Sequence, residues 1–587
     1  MAIALLTVLA ALLRFACIGH QGFWYDECYS AYLVRMTFTH MLGQLPKLES
    51  TPPLYYCVGW VWVRIFGDDP AGLRSLSAIC GTLTVPAVYA CSMVLLRNRR
   101  LALIAAALTA FNPLLVWYSQ EARAYSMLAF TSTLTLLMCL ELDRSPRPRN
   151  AALWALACIL ALATHYYAGL LVAPEAAWLL CRHWRKRALW ASLAALAAAG
   201  GALLPLMITQ SHTGNDKWIA QSALGLRVSQ IPPLLFTGPQ TYARTLLKYL
   251  AFAAALTGLS TLAVAVQRTL RGSGLVSAVT ALRPVRLAPA GAAVLPREQA
   301  AAAPRKCSAA AVTGASVAAP GENIPQTRSA NVSSSLDGLR GRAAAAARRM
   351  PWLWTAGFTL LGLLIAVTAG EKTLLTRNLL PLWAPWAVTL AAGLGCFGLR
   401  NRRIRSAGLA ATVTLCVIGT VAVISVDSNY WFQRPDWQPL ARALGPWPQN
   451  DSQAGNRVIV VQDNPGAFPL ALYLRSLHYV YGDSAPDVRV VDVVAVAPRD
   501  GLEGFCWWGS ACNLVPSKLD RGYVLPGFRK VRQFSVEQFR VLEYRAAVPR
   551  NLAVTELPTS PSKQRQRLHP VANAPVQVAD ARLIQQD

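Results

Sequence analysis

The chain has 587 residues, of which 54% are hydrophobic and 14% charged, with 56 Lys and Arg against 29 Asp and Glu for a formal net charge of +27. A soluble enzyme carries roughly a quarter charged residues and spreads its apolar residues periodically, so this composition excludes an ordinary water-soluble enzyme. The positive charge falls in short clusters between long uncharged runs, a pattern that reports membrane orientation, and no nucleic-acid partner is expected.

In chain order, Met1–Gly19 is interrupted only by Arg14 and lacks both a basic leader and a small-residue cleavage site, so it reads as a retained first helix. Pro52–Phe66 is apolar but short of the ~20 residues that cross a bilayer. A crossing there would also turn Arg97, Arg99 and Arg100 outward, so an interfacial or re-entrant helix is expected. Runs near crossing length follow at Ser75–Leu96, Leu101–Tyr118, Ala124–Leu140, Ala188–Thr209, Tyr249–Gln267, Met350–Gly370, Asn378–Leu399 and Ser406–Val426. Ala151–Cys181, broken by His165-Tyr166-Tyr167 and Glu175, reads as one long helix or as two short ones meeting at a turn, and charge decides between them. The basic clusters Arg97/Arg99/Arg100, Arg144/Arg147/Arg149, Arg182/Arg185/Lys186/Arg187 and Arg400/Arg402/Arg403/Arg405 share one side only if this segment crosses twice with His165 at the outer turn.

The expected fold is therefore a polytopic α-helical membrane protein with about eleven crossings, its N-terminus inside and its C-terminus outside. The transmembrane module covers residues 1–426. Within it, residues 268–349 carry twelve Arg or Lys against three acids and show no helical or strand period, which predicts a disordered basic cytoplasmic loop. Residues 427–547 turn globular: Arg457–Gln462 and Val488–Val496 read as strands, Gly466–Leu477 as a helix and Val531–Tyr544 as a strand pair. This predicts a small extracytoplasmic α/β domain. Cys506 and Cys512 bracket Trp507-Trp508, so a disulfide is expected in an oxidising compartment. Residues 548–587 read as an unstructured tail.

Ions close to hydrocarbon are costly unless used, so the few charged residues at outer helix ends are the candidates for chemistry. The first outer loop holds Phe23-Trp24-Tyr25-Asp26-Glu27, then Glu49 ahead of Pro52-Pro53-Leu54-Tyr55-Tyr56, then Asp68-Asp69 leading to Arg74. The second reads Trp117-Tyr118-Ser119-Gln120-Glu121-Ala122-Arg123-Ala124-Tyr125-Ser126, and His165 and Arg377 lie further on. A carboxylate beside aromatic rings suits general-base chemistry on a hydroxyl, with the rings stacking on a sugar and excluding water. Outward Arg residues suit a lipid phosphate. The bland alternative is a set of solvated loop acids and interfacial anchors.

The aromatic pair before Asp26-Glu27, the acid ahead of Pro-Pro-Leu-Tyr-Tyr, the Arg-x-x-Ser at Arg74, the WYSQEARAYS run and Arg377-Asn378-Leu379-Leu380-Pro381-Leu382 together resemble the GT-C superfamily of integral-membrane glycosyltransferases. Bacterial relatives of the protein O-mannosyltransferases and the lipid A aminoarabinose transferase are the nearest types, and the likeness runs from Met1 to about Val426. It implies transfer of a sugar from a polyprenyl-phosphate donor to a glycan, lipid or protein acceptor at the outer face of a bacterial cytoplasmic membrane. It places Asp26 as catalytic acid/base with Glu27 beside it. Beside that likeness, Glu49, Tyr55, Glu121 and Tyr125 are expected to bind substrate and Arg74, Arg123 and Arg377 to offset phosphate charge, while His165 reads as a substrate-side second base or, alternatively, as a hydrogen-bonded structural residue of the outer turn. A divalent cation held by Glu49 and Glu121 remains open, because both acids stand out of register with the aminoarabinose transferase pattern. The other open function is a transporter or flippase of a lipid-linked sugar, which usually shows matching repeats in two halves; no such symmetry is visible here.

Overall fold

The structure is a computed structural model that describes residues 1–214, 217–220, 222–272, 350–399, 401–445, 456–474, 477–479, 484–496, 525–553 and 581–586. Residues 1–262 and 352–587 make one compact body; residues 263–351 form a second unit, described only at its ends. The expected basic loop therefore lies almost wholly outside the described residues, as do Cys506 and Cys512.

The N-terminal part runs through helices α1 (Ala2–Phe15), α2 (Tyr25–Arg35), α3 (Phe38–Leu48), α4 (Leu54–Phe66), α5 (Pro70–Leu96), α6 (Arg99–Ala110), α7 (Pro113–Ser119), α8 (Tyr125–Arg144), α9 (Pro148–Thr164), α10 (Gly169–His183) and α11 (Arg187–Thr213). It continues through α12 (Lys217–Ala220), α13 (Leu224–Thr237) and α14 (Arg244–Gly272), and after the second unit through α15 (Trp352–Thr368), α16 (Trp383–Leu394) and α17 (Arg402–Ser428). Among the described residues, α5, α8, α11, α14 and α17 are long and apolar enough to cross a membrane, and the bent pair α6–α7 makes a sixth if counted as one span. α1, α4, α9 and α15 are shorter apolar helices. The chain is a multi-pass membrane protein. Ala151–Cys181 does divide, at His165, into α9 and α10 joined by the 3-10 turn Tyr166–Ala168.

Two expected spans are corrected. Leu101–Tyr118 bends by 55° between α6 and α7, because Pro113 has no N–H to continue the ladder and Asn112 caps the new helix by accepting from Leu115 N–H at 2.9 Å. The carbonyls released at the break need donors, since exposed backbone is costly in lipid. Arg14, fully buried in α1, supplies them, donating to Thr109 O at 3.1 Å and Ala110 O at 3.0 Å. The charge that interrupts the first span thus splints the break. Asn378–Leu399 is likewise not one helix: a 3-10 run over Thr376–Leu382, with Pro381 inside it, precedes the twelve-residue α16. α13, with Pro232 and Pro233 inside it, was not legible as a helix at all.

The C-terminal part adds α18 (Trp437–Leu444), β1 (Asn456–Gln462), α19 (Asp463–Tyr473), β2 (Leu477–Tyr479), β3 (Ser484–Val496), β4 (Arg529–Val536), β5 (Phe539–Ala553) and β6 (Ala581–Gln586). The sheet order is β2-β6-β1-β3-β5-β4, with β1 and β3 parallel and the other pairs antiparallel. Alternation along β1, β3 and β5 buries both faces: Ile459, Val494, Phe539 and Val541 meet Trp437, Leu440 and Leu470 of the helices, while Val458, Val491, Val493 and Leu542 pack on the other side. The expected unstructured tail is corrected where it is described, because β5 continues to Ala553 and β6 fills a place between β1 and β2.

This domain is seated on α2. Phe468 of α19 stacks on Tyr29 with ring centroids 4.5 Å apart, Tyr473 accepts the Phe23 N–H through its hydroxyl, and Asp436 accepts the Gly22 N–H at 3.0 Å. A Cβ at Gly22 would lie 2.6 Å from Asp436 Oδ1 and 2.8 Å from the Tyr473 hydroxyl, so only glycine permits this approach.

Candidate functional site

Charged residues from distant parts of the chain gather where α2 begins. Each acid meets its own arginine. Glu27, at the third position of α2, is fully buried and accepts from Arg74 Nε at 2.7 Å and Nη2 at 2.6 Å, from Ala122 N–H at 2.7 Å and from Trp24 N–H at 3.3 Å. Burial alone would push its carboxyl up, but Arg74, helped by Arg434 and the Ala122 N–H, holds it below its ordinary value. Arg74 spends its remaining donors on Ile18 O, Gln21 O and Gly22 O, at 2.9, 2.9 and 2.7 Å. All five of its N–H groups are therefore taken. Arg74, expected at a phosphate, and Glu27, expected beside the reacting acid, are thus engaged with each other, and the pair clamps the turn that presents Asp26.

Glu49 and Arg123 make a second bidentate pair, Nη2 to Oε2 at 2.8 Å with Nη1 on Oε1. Arg123 Nη1 also reaches Asp26 O at 3.2 Å and Ser30 Oγ at 3.4 Å. The arginine of the second loop thus lies beside the aspartate of the first, but it grips the backbone of Asp26 and leaves its carboxylate alone. Tyr55 is fully buried, its hydroxyl 3.5 Å from Ser77 Oγ, which donates to Arg123 O at 3.2 Å.

The Asp26 carboxylate faces Arg377 instead, Oδ2 to Nη1 at 3.3 Å, with their side chains 21% and 10% exposed. That exposure sets Asp26 apart from Glu27, Glu49 and Glu121, whose side chains are at most 3% exposed. The Arg377 guanidinium lies 5.2 Å from the Tyr125 ring centroid, and Tyr118, Tyr125, His165 and Tyr167 form an aromatic wall with successive centroids 4.9, 5.8 and 5.6 Å apart. Burial first, then Arg377 and Arg123, depress His165 to about 3, so it is neutral at physiological pH. Its Nδ1 accepts the Tyr167 N–H at 3.3 Å, the hydrogen-bonded turn contact expected as the alternative to a second base.

Glu121 pairs with Arg434, a residue that sequence reasoning missed because it lies just past the last span, in what reads as the start of the globular domain. The Arg434 guanidinium sits 4.0 Å from the Trp117 ring centroid and 5.2 Å from that of Trp24. Burial raises the Glu121 carboxyl to about 7; Asp26 and Glu27 add to the rise, and Arg434 and Arg377 oppose it. A carboxyl that binds its proton more tightly in the fold than at its ordinary value of 4.5 gives stability that is complete below that value and is lost as the pH climbs to 7. The melting temperature should accordingly fall between pH 5 and pH 7, and Glu121→Gln should remove part of that fall. An unchanged pH slope in the variant would rule this out.

A divalent cation does not fit the donors present. Both oxygens of Glu49 are taken by Arg123, Glu121 is held by Arg434, and among the described residues no group of three or more His, Cys, Asp or Glu is placed to ligate a metal.

Residues 50–209 match the family model described as dolichyl-phosphate-mannose-protein mannosyltransferase, which bears out the resemblance to GT-C membrane glycosyltransferases and covers Arg74, Glu121, Arg123 and His165. No curated protein matches the sequence. Among solved structures, ArnT from Cupriavidus metallidurans bound to undecaprenyl phosphate is similar at a TM-score of 0.41 and 11% identity, covering 93% of this chain and 98% of that one. Its apo form gives 0.43 and 12%, over 92% and 97%. Oligosaccharyltransferase AglB from Archaeoglobus fulgidus, in complex with an inhibitory peptide and a dolichol-phosphate, gives 0.38 and 14%, over 76% of this chain and 58% of that one. At this distance these structures bear on no individual residue.

Proposed function

We propose that this chain is a membrane glycosyltransferase that moves a sugar from a polyprenyl-phosphate donor to an acceptor glycan, lipid or protein at the outer face of a bacterial cytoplasmic membrane. The reading rests on one observation above the rest: Asp26 is the acid of the cluster whose carboxylate stays partly exposed, and it lies 3.3 Å from the Arg377 guanidinium. A base and a cation side by side suit both halves of the transfer. Asp26 accepts the proton of the acceptor nucleophile, whose oxygen or nitrogen bonds to the anomeric carbon. The bond from that carbon to the phosphate oxygen breaks with its electron pair, and polyprenyl phosphate leaves.

Arg377 offsets the negative charge that grows on the leaving phosphate, and being preorganised in a largely buried place it does so without reorganisation cost. Asp26 is the second residue of α2, so its carboxylate stands at the positive end of that helix's dipole. The Glu27–Arg74 and Glu49–Arg123 pairs fix the backbone on either side of it. The matched family description, which names a lipid-phosphate sugar, supports the donor class.

Replacing Arg377 removes a charge contact that strengthens as the phosphate departs. Arg377→Ala should therefore lower kcat by about 10²–10³-fold, in the range found when a preorganised oxyanion donor is deleted, with Arg377→Lys intermediate. Steady-state kinetics on a labelled polyprenyl-phosphate sugar checks this, and a variant with unchanged kcat would remove Arg377 from the reaction.

A further inference from the structure

Beside Asp26 lies a second set of groups whose hydrogen bonding is incomplete. Glu121 is fully buried, yet its Oε2 is engaged by Arg434 while Oε1 has no hydrogen-bond partner among the described residues. The Trp24 indole N–H is also buried and without a partner among the described residues. Leaving a buried acceptor or donor unmet is costly, so two such atoms around one guanidinium call for an explanation. Both residues lie against Arg434: Glu121 through its ion pair and Trp24 with its ring centroid 5.2 Å from the guanidinium carbon, with Trp117 at 4.0 Å.

The missing partner has a definite chemistry. An unpaired carboxylate oxygen needs a donor and an unpaired indole N–H needs an acceptor, and a hydroxyl is both at once. A fully ionised carboxylate or phosphate, or an ammonium group, can satisfy only one of the two. Trp24 and Trp117 are each partly exposed, and they bring to the cluster flat apolar rings of the kind that suit a sugar. We propose that Trp24, Trp117, Glu121 and Arg434 form a sugar-hydroxyl subsite adjoining Asp26, with Glu121 Oε1 accepting from and the Trp24 N–H donating to hydroxyls of the carbohydrate.

Resting on the transferase reading, the subsite deepens it by giving the sugar a place and by giving the C-terminal domain a part in holding it. Arg434 lies in the linker between α17 and α18, its carbonyl accepts from Gln21 Nε2 at 3.2 Å, and two residues on Asp436 accepts the Gly22 N–H. The residue that fixes Glu121 is thus itself fixed by the seating of that domain.

Saturation-transfer NMR on the full chain in nanodiscs tests the subsite directly, with methyl glycosides of common hexoses and pentoses as probes and polyprenyl phosphate release measured on the same preparations. At least one glycoside should bind, Trp24→Phe should weaken it about tenfold by deleting one hydrogen bond and keeping a ring, and Glu121→Gln should weaken it further. Among mono-deoxy versions of that glycoside, one should bind wild type and Trp24→Phe equally, a result that a merely structural role for Trp24 does not give. Absence of binding by every glycoside, or equal binding of all of them to wild type and both variants, overturns the subsite and leaves these two atoms to water. Transfer without glycoside binding sinks the subsite alone; glycoside binding without polyprenyl phosphate release sinks the transferase reading and leaves the subsite standing.

Discussion

Asp26→Asn is expected to reduce sugar transfer by about 10²–10⁴-fold, the contribution of a positioned general base, while the protein still inserts in the membrane and elutes as a folded species. Asparagine keeps the size and the acceptor oxygen of aspartate, so contacts at the start of α2 survive and only the ability to take a proton is lost. The carboxylate is 21% exposed and paired with Arg377 at 3.3 Å, so its replacement leaves no fully buried charge stranded and the fold should tolerate it. Asp26→Glu should retain a fraction of the rate, because the base is kept but displaced. Rate measurements with saturating donor and acceptor check this, and an Asp26→Asn enzyme working at the parent rate would remove Asp26 from the chemistry.

Arg74→Met should act in the opposite way, through the fold. It strands the Glu27 carboxylate in a fully buried place and leaves three backbone carbonyls without their donor. Breaking a buried ion pair from one side costs about 3–5 kcal/mol, a large share of the stability of most domains. A fall of several degrees in melting temperature and poor recovery from detergent are expected. Replacing both partners, as Glu27→Leu with Arg74→Met, should regain part of the loss because the stranded charge is gone, though Ile18, Gln21 and Gly22 still lack their donor. An Arg74→Met protein that melts with the wild type would show that the pair is not the clamp described here. The two variants thus separate chemistry at Asp26 from the structure that presents it.

Much of the bundle was legible because long uncharged runs admit few readings: α5, α8, α11 and α17 fall on stretches expected to be helical. The division at His165 followed from where the basic clusters can lie. What the sequence concealed depends on tertiary partners. Arg14 looks like an interruption of a span until the break at Pro113 supplies carbonyls for it to hold. The 3-10 run over Thr376–Leu382 has the same apolar composition as a helix, and only its Pro381 hints otherwise.

Composition could find the charged residues of the site but not pair them. The sequence reading put Arg74, Arg123 and Arg377 alike on a phosphate, because each stands near an outer helix end; in space Arg74 pairs with Glu27 and Arg123 with Glu49, and Arg377, distant in sequence, faces Asp26. Arg434 was invisible for a related reason. Its place after the last span assigned it to the neighbouring domain, although an arginine directly beyond a helix end, ahead of the Asp436 cap, was the signal available.

The most direct measurement takes purified protein in lipid with a doubly labelled polyprenyl-phosphate sugar, one label on the sugar and one on the lipid, and follows both. The account predicts that the sugar label appears on acceptor as polyprenyl phosphate forms in equal amount, and that neither product appears with Asp26→Asn. Recovery of the lipid-linked sugar intact, whether unmoved or carried to the other leaflet, would contradict it.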